Sequence, residues 1–308
     1  MAGRLTLKDG TILPYIVLPS PAGQALPLLM IQGLSGSKEN WFSLPTELAK
    51  TRPVAVFDNR GIAQRPVPEG PYSVELMASD AVAVADHLGW KQFDLLGISM
   101  GGAISQVLTL NYPSRVRKLI IGCSSACFTA IESHEAIEAI TPPHRKLTPE
   151  EQLEYMRKGI EINLTLDQVT TNPKLVDDML EMELKLKKPA AGIGMDCFLH
   201  VLFYFSFLPK TKQHTKQNIL FFFLAHQFMG LATYDIRDRL KEIKHQTLII
   251  TGSQDRLVSY QHSILMSEGI PNSTLRFIPN TGHLFYYPDS LPTVRLVNEF
   301  LAQPSAKL

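Results

Sequence analysis

Gly97-Ile98-Ser99-Met100-Gly101 has the spacing that a nucleophilic serine requires at a sharp turn from strand to helix. Leu95 and Leu96 close an apolar run before it, and Ala103, Ile104, Val107 and Leu108 recur at helical spacing after it. At such a turn the serine backbone is strained, and the residues two before and two after must lack side chains if the chain is to close. Gly97 and Gly101 meet that need. The competing reading, Ser99 as an ordinary helix cap, explains neither glycine.

A serine hydroxyl is a weak nucleophile at neutral pH, so a base must take its proton and a carboxylate must orient that base. Among nine histidines, His283 lies in Ile278-Pro279-Asn280-Thr281-Gly282-His283, beyond the last expected strand. A loop at the carboxyl end of a parallel strand is where sites form in open α/β sheets. His262, on an expected helix, is the rival. His87 sits on a helix, His134 and His144 fall between the core segments, His245 precedes a strand, and His200, His214 and His226 lie in or beside an anomalous apolar stretch.

Asp255 follows Leu248-Ile249-Ile250-Thr251-Gly252-Ser253-Gln254, in the loop after the penultimate strand. The chain order Ser99, Asp255, His283 is then Ser…Asp…His. Asp235 and Asp238 read instead as the acidic start of a solvated helix. Acyl transfer also needs donors for the oxyanion. The backbone N–H of Met100 is one, and the turn Gln32-Gly33-Leu34-Ser35-Gly36 offers that of Leu34 as the second. A plain tight turn is the other reading of Gly33 and Gly36.

These residues need a scaffold, and the apolar runs supply it. Leu26 to Ile31, Val54 to Asp58, Phe93 to Ile98, Val116 to Gly122, Thr247 to Thr251 and Thr274 to Ile278 read as strands separated by helix-length segments. That alternation predicts an α/β fold: a mostly parallel central sheet flanked by helices. Leu5 to Lys8 and Thr11 to Leu18 predict an opening hairpin, with Asp9-Gly10 as a type I′ turn. Ser73 caps an expected helix that Gly89 ends, and Ser290 to Ala302 forms the closing helix.

Residues 125 to 233 break the alternation and read as an inserted helical cap between core segments 1–124 and 234–308. Thr148-Pro149-Glu150-Glu151 is a capping box, and Asn172-Pro173 opens another helix that Pro189 ends. From 197 to 226 the pattern fails: Phe is dense and apolar on every side, yet Lys210, Lys212 and Lys216 interrupt it. Its first apolar run is about 12 residues, short of the roughly 20 that span a bilayer. Two readings stay open, a hydrophobic lid or translated intron sequence.

The chain has 308 residues, Lys+Arg 30 against Asp+Glu 29, 45% hydrophobic and 19% charged residues. This balance excludes a disordered chain and leaves no basic field for nucleic acid. Cys123, Cys127 and Cys197 are an odd set without zinc spacing, so neither a disulfide framework nor a metal site is expected, and a reducing compartment is. Lys8, Asp9 and Gly10 interrupt the N-terminal apolar residues too early for a secretory signal. The ending Ala306-Lys307-Leu308 is similar to the Ser-Lys-Leu address read by the peroxisomal import receptor. The expectation is a peroxisomal protein, with a cytoplasmic one as the alternative.

Taken together, Gly97-Ile98-Ser99-Met100-Gly101-Gly102, Gln32-Gly33-Leu34, Asp58-Asn59-Arg60-Gly61, Thr251-Gly252-Ser253-Gln254-Asp255 and Gly282-His283 resemble an α/β-hydrolase of the esterase/lactonase type. The resemblance covers nearly the whole chain except the cap. It implies a cofactor-free serine hydrolase acting on an ester, thioester or lactone of a small molecule. Carbon–carbon hydrolases with the same triad, and a non-catalytic receptor on the same fold, remain alternatives. Two positions depart from the family: Gln32 stands where His is usual, and Ala63-Gln64-Arg65 replaces a small-residue turn. The peroxisomal ending adds a weaker likeness to hydrolases of fungal secondary-metabolite and toxin clusters.

Overall fold

Strands buried on both faces read as unbroken apolar runs, and five such runs, Leu28–Ile31, Val54–Phe57, Phe93–Ile98, Val116–Gly122 and Gln246–Gly252, form the middle of one eight-stranded sheet. The computed structural model describes residues 1–21, 25–62, 70, 72–127, 133–136, 148–187 and 219–304. In chain order the first half of the core is β1 (Ala2–Thr6), β2 (Ile12–Leu18), β3 (Leu28–Ile31), α1 (Leu44–Leu48), β4 (Val54–Phe57), α2 (Val74–His87), β5 (Phe93–Ile98), α3 (Met100–Asn111) and β6 (Val116–Gly122). Between the core halves come α4 (Pro149–Glu161), α5 (Leu166–Thr171), α6 (Pro173–Lys187) and α7 (Ile219–Ala232). The second half is β7 (Gln246–Gly252), α8 (Tyr260–Gly269), β8 (Ser273–Ile278) and α9 (Leu291–Ala302).

In the sheet order β1-β2-β4-β3-β5-β6-β7-β8, β1 and β2 are antiparallel, as are β2 and β4, and every other pairing is parallel. Alternate residues feed two cores. Leu29, Ile31, Leu95, Leu119, Ile121 and Ile249 face the side covered by α2 and α3, with Met77, Ala81, Ile104 and Leu108. Leu28, Met30, Leu96, Ile98, Ile120, Leu248 and Ile250 face the other side, with Leu44, Leu48, Val297 and Phe300 from α1 and α9. Burying each such Leu or Ile contributes about 1.5–3 kcal/mol, enough to hold the strand ends where the chemistry gathers.

The capping signals at Ser73, Gly89 and Thr148 are realised, whereas Pro189, expected to end α6, lies outside the described residues. Ser73 accepts a hydrogen bond from Leu76 N–H at the start of α2, and Gly89 takes φ +74 just past its end. Thr148 and Glu151 exchange bonds at the start of α4, and Thr165 and Gln168 form a second capping box at α5. The opening hairpin differs from expectation. A type I′ turn needs positive φ at both central residues, whereas only Gly10 adopts it. Asp9 Oδ1 accepts from Thr11 N–H at 2.9 Å and Gly10 N–H donates to Leu7 carbonyl at 3.0 Å, so the loop is a longer turn closed by glycine.

α4 and α6 share a small core beside the loops that follow β3 and β8. Ile160, Leu164, Leu175, Val176, Met179 and Leu180 form their own core and pack on Phe42, Leu284 and Tyr287. α7 runs across the boundary at residues 226 and 227 that the sequence pattern suggested, and its latter part is seated on the core. Tyr72 N–H donates to His226 carbonyl at 3.2 Å, and Gly230 lies against the Tyr72 backbone. The other residues of the anomalous stretch, 197–218, fall outside the described residues, as do Ala63-Gln64-Arg65 and Ala306-Lys307-Leu308. No described helix is long and apolar enough to cross a membrane.

Candidate active site

Ser99 sits between β5 and α3 with φ 53 and ψ −124, a conformation that costs an L residue on the order of 1–3 kcal/mol. The surroundings enforce it. Ser99 N–H donates to Gly122 carbonyl at 2.9 Å, and the Ser99 carbonyl accepts from Ser124 Oγ at 2.7 Å and from Gly102 N–H at 2.9 Å. A side chain at Gly97 would collide with the Gly101 carbonyl, and one at Gly101 with the Ile31 carbonyl. Both glycines are therefore closure requirements, as their spacing implied.

Asp255 lies in the loop between β7 and α8. Its Oδ1 accepts from Leu257 N–H and Val258 N–H, each at 2.9 Å, and its Oδ2 lies 2.8 Å from His283 Nδ1. The Asp255 side chain is 0% exposed and that of His283 4%, so the pair is shielded from water. Their two loops are tied to each other: Gln254 N–H donates to Thr281 carbonyl at 2.9 Å, and Asn280 N–H to Ser253 Oγ at 3.0 Å. The cap secures the same loop, because Leu284 N–H donates to Asn163 carbonyl at 3.2 Å. With three acceptor contacts on one buried carboxylate, the histidine ring is fixed in one orientation.

β6 lies between β5 and β7, so the Ser99 turn and the Asp255 loop emerge about 10 Å apart at the same edge. Cys123, which follows β6 at φ 41, fills the space between. Its Sγ, an Asp255 oxygen and a His283 nitrogen lie within 4.8 Å of one another, a cluster that cysteine spacing does not reveal. Burial and the nearby Asp255 carboxylate push the Cys123 thiol well above its usual range, which keeps it protonated. Among the described residues no hydrogen bond joins Ser99 Oγ to His283. Such contacts are commonly long in a free enzyme and tighten with substrate.

The other candidates that the structure describes go elsewhere, and His144, His200 and His214 lie outside the described residues. His262 bonds Ser125 Oγ at 3.1 Å, His87 bonds Tyr15 Oη at 2.9 Å, and His245 Nε2 lies 2.9 Å from Pro113 carbonyl. Asp235 is an exposed partner of Arg237. The turn after β3 abuts the serine: a methyl group on Gly33 would lie 3.0 Å from Ser99 Cβ and 3.5 Å from Ser99 Oγ. Gln32 is curled inside that turn, its Oε1 accepting from Gly33 N–H at 2.8 Å and its Nε2 donating to Tyr286 Oη at 3.4 Å. Met100 N–H opens α3, where the helix dipole favours developing negative charge.

Sequence reasoning missed Ser124, Cys123 and Gln227. The last accepts at Oε1 from Ser35 N–H at 3.1 Å and donates from Nε2 to Arg60 carbonyl at 2.9 Å. No local pattern marks any of the three, since each acts through a contact remote in sequence. Only Gln227 carried a hint: a buried amide in an otherwise apolar helix must find partners.

Residues 27–290 match the family described as alpha/beta hydrolase fold, and the chain belongs to it. It is 27% identical over 295 residues to 2-hydroxymuconate semialdehyde hydrolase from Pseudomonas sp. (strain CF600), covering 92% of this chain and 90% of that one. It is 25% identical over 225 residues to 3-oxoadipate enol-lactonase 2 from Acinetobacter baylyi, covering 73% and 70% of the two chains. The crystal structure of the enol-lactonase from Burkholderia xenovorans LB400 superposes with a TM-score of 0.73 at 17% identity, over 98% of this chain and 100% of that one. Such likeness supports the hydrolase class, while the fold alone does not select a substrate.

Proposed function

We propose that the chain is a cofactor-free serine hydrolase that cleaves an ester, thioester or lactone of a small molecule. The carrying observation is the shielded His283–Asp255 pair at 2.8 Å, at the same sheet edge as the strained Ser99 turn. Ser99 Oγ attacks the carbonyl carbon while His283 Nε2 takes the hydroxyl proton. Asp255 holds Nδ1–H and stabilises the imidazolium. The oxyanion forms against the Met100 and Leu34 N–H groups, and its collapse expels the alcohol or thiol, which takes the proton from His283. Water, activated by the same histidine, then releases the acid and restores Ser99.

A fluorophosphonate probe should label the protein and the label should vanish in Ser99→Ala, together with turnover of an aryl ester. Labelling that persists in Ser99→Ala removes Ser99 as nucleophile. Labelling without turnover of any ester favours the receptor alternative.

Carbon–carbon cleavage is the second reading, favoured by the relative that matches 92% of this chain. Direct assay of 2-hydroxymuconate semialdehyde beside an enol-lactone decides between them. We also propose a peroxisomal location, tested with an N-terminal fluorescent fusion: the signal should enter peroxisomes and become cytosolic when Ala306-Lys307-Leu308 is removed.

A further inference from the structure

The turn after β3 presents the backbone N–H groups of Gly33, Leu34, Ser35 and Gly36, and three of them have acceptors. Gly33 N–H donates to Gln32 Oε1 at 2.8 Å and Gly36 N–H to Gly33 carbonyl at 3.2 Å. Ser35 N–H donates at 3.1 Å to Gln227 Oε1, a partner 192 residues away in the chain. Among the described residues the Leu34 N–H has no acceptor. The peptide unit that carries it is thus bounded on both sides by pinned neighbours, the Gly33 amide before it and the Ser35 amide after it.

The second pin is the informative one. Ser35 takes φ 60, a left-handed conformation that an L residue holds only with support. Gln227 is fully buried on α7, and both ends of its amide are used. The Arg60 carbonyl that receives its Nε2 belongs to a rigid segment. The Arg60 guanidinium is held by both Asp80 oxygens at 2.5 and 2.7 Å, and Asn59 Nδ2 donates to Gln32 carbonyl at 2.9 Å, fixing the start of the turn. One end of the Gln227 amide is therefore anchored in the core while the other sets the Ser35 amide.

We infer that Gln227 is a positioning residue for the oxyanion hole, through which the seating of α7 on the core sets the direction of the Leu34 N–H. This rests on the serine-hydrolase reading above. Oxyanion donors act only where the developing charge will be, so a displaced Leu34 N–H loses transition-state stabilisation and leaves ground-state binding largely intact. A cap helix then does more than cover the cleft, because lifting α7 would release a donor beside Ser99.

Gln227→Met keeps length and burial but removes both hydrogen bonds, whereas Gln227→Glu keeps an acceptor for Ser35 N–H and loses the donor to Arg60. With an aryl ester, Gln227→Met should lower kcat by about 10- to 100-fold with KM within about twofold, and Gln227→Glu should lose less. Affinity for a trifluoromethyl ketone should fall in parallel with kcat, and affinity for the product acid should not. A folded Gln227→Met protein with unchanged kcat and ketone affinity overturns the inference. So does a loss confined to KM. In the unmutated protein, amide hydrogen exchange should be slow at Ser35 and fast at Leu34; fast exchange at Ser35 also overturns it. If the unmutated protein shows neither ester turnover nor Ser99 labelling, the hydrolase reading fails instead, and the exchange pattern still reports on the clamp.

Discussion

Asp255 gives one carboxylate oxygen to His283 Nδ1 at 2.8 Å and the other to two backbone N–H groups, those of Leu257 and Val258. The carboxylate therefore cannot turn without leaving a buried donor unsatisfied, and that makes Asp255→Asn a sharp test. The asparagine Oδ1 must stay on the two N–H groups, so its NH2 faces His283 and makes Nδ1 an acceptor. The imidazole proton then moves to Nε2, where no lone pair remains for the Ser99 proton. A kcat loss of about 10³- to 10⁴-fold is expected, as in other triads, with little change in fold. Steady-state kinetics with the imidazole proton followed by NMR check it, and a loss under tenfold would remove Asp255 from the proposed role.

Gly33 and Gly101 both flank Ser99, yet alanine should act differently at each. At Gly33 the added methyl presses on the Ser99 side chain, at 3.0 Å from Cβ, and reaches the Ile98 carbonyl only at an ordinary 3.5 Å. The Ser99 side chain is nudged and the scaffold is not, so on the proposed mechanism Gly33→Ala should lower kcat by about 10- to 100-fold with a small change in Tm. At Gly101 the methyl meets the backbone carbonyls of Ile31 and Gln32, which cannot step aside. Gly101→Ala should lose more than about 3 kcal/mol of stability or fail to fold. Matched activity and thermal melts on both proteins separate the two behaviours.

How far these positions could be read from sequence depended on the range of the contact involved. The strands from Phe93 to Ile98 and from Val116 to Gly122 occur at the expected residues because fully buried parallel strands announce themselves as apolar runs. Gly97 and Gly101 were legible because closure of the turn is a local steric problem. The Asp9-Gly10 turn departs from the type I′ expectation because the Asp9 side chain competes for the Thr11 N–H and stabilises a different turn. Gln227 was legible only as an amide in need of partners; which partners it finds depends on Ser35 and Arg60, which only tertiary packing brings to it.

His226 precedes that glutamine and packs tilted against Tyr72 with ring centroids 5.0 Å apart. Burial holds its pKa below the usual 6.5, so the folded chain favours the neutral ring. As pH falls below 6.5 the unfolded chain takes up the proton first. Stability therefore declines from that point and levels off below the folded pKa. Urea unfolding at several pH values between about 7.5 and 5 should show this decline in the natural protein and a shallower one in His226→Gln. Equal slopes would show that the ring does not report on the seating of α7.

Arg60 and Asp80 form a bidentate pair with side chains only 3% and 4% exposed, beside the carbonyl that anchors Gln227. Removing one partner from such a pair leaves an uncompensated charge, so Arg60→Met should cost about 3–5 kcal/mol at neutral pH. Burial already pushes the Asp80 carboxyl above its usual range, and without the guanidinium it rises further. A group whose folded pKa is raised favours folding most below its unfolded value of 3.8, and that benefit is lost as pH rises through the folded pKa. The penalty of Arg60→Met should therefore shrink as pH falls from 7 toward 5, because Asp80 then buries as a neutral acid. Adding Asp80→Leu should recover most of the lost stability at pH 7, since an apolar pair of similar volume leaves no charge behind. Urea titrations of the single and double variants at both pH values measure these differences. A pH-independent penalty in Arg60→Met would mean that Asp80 reaches water once its partner is gone.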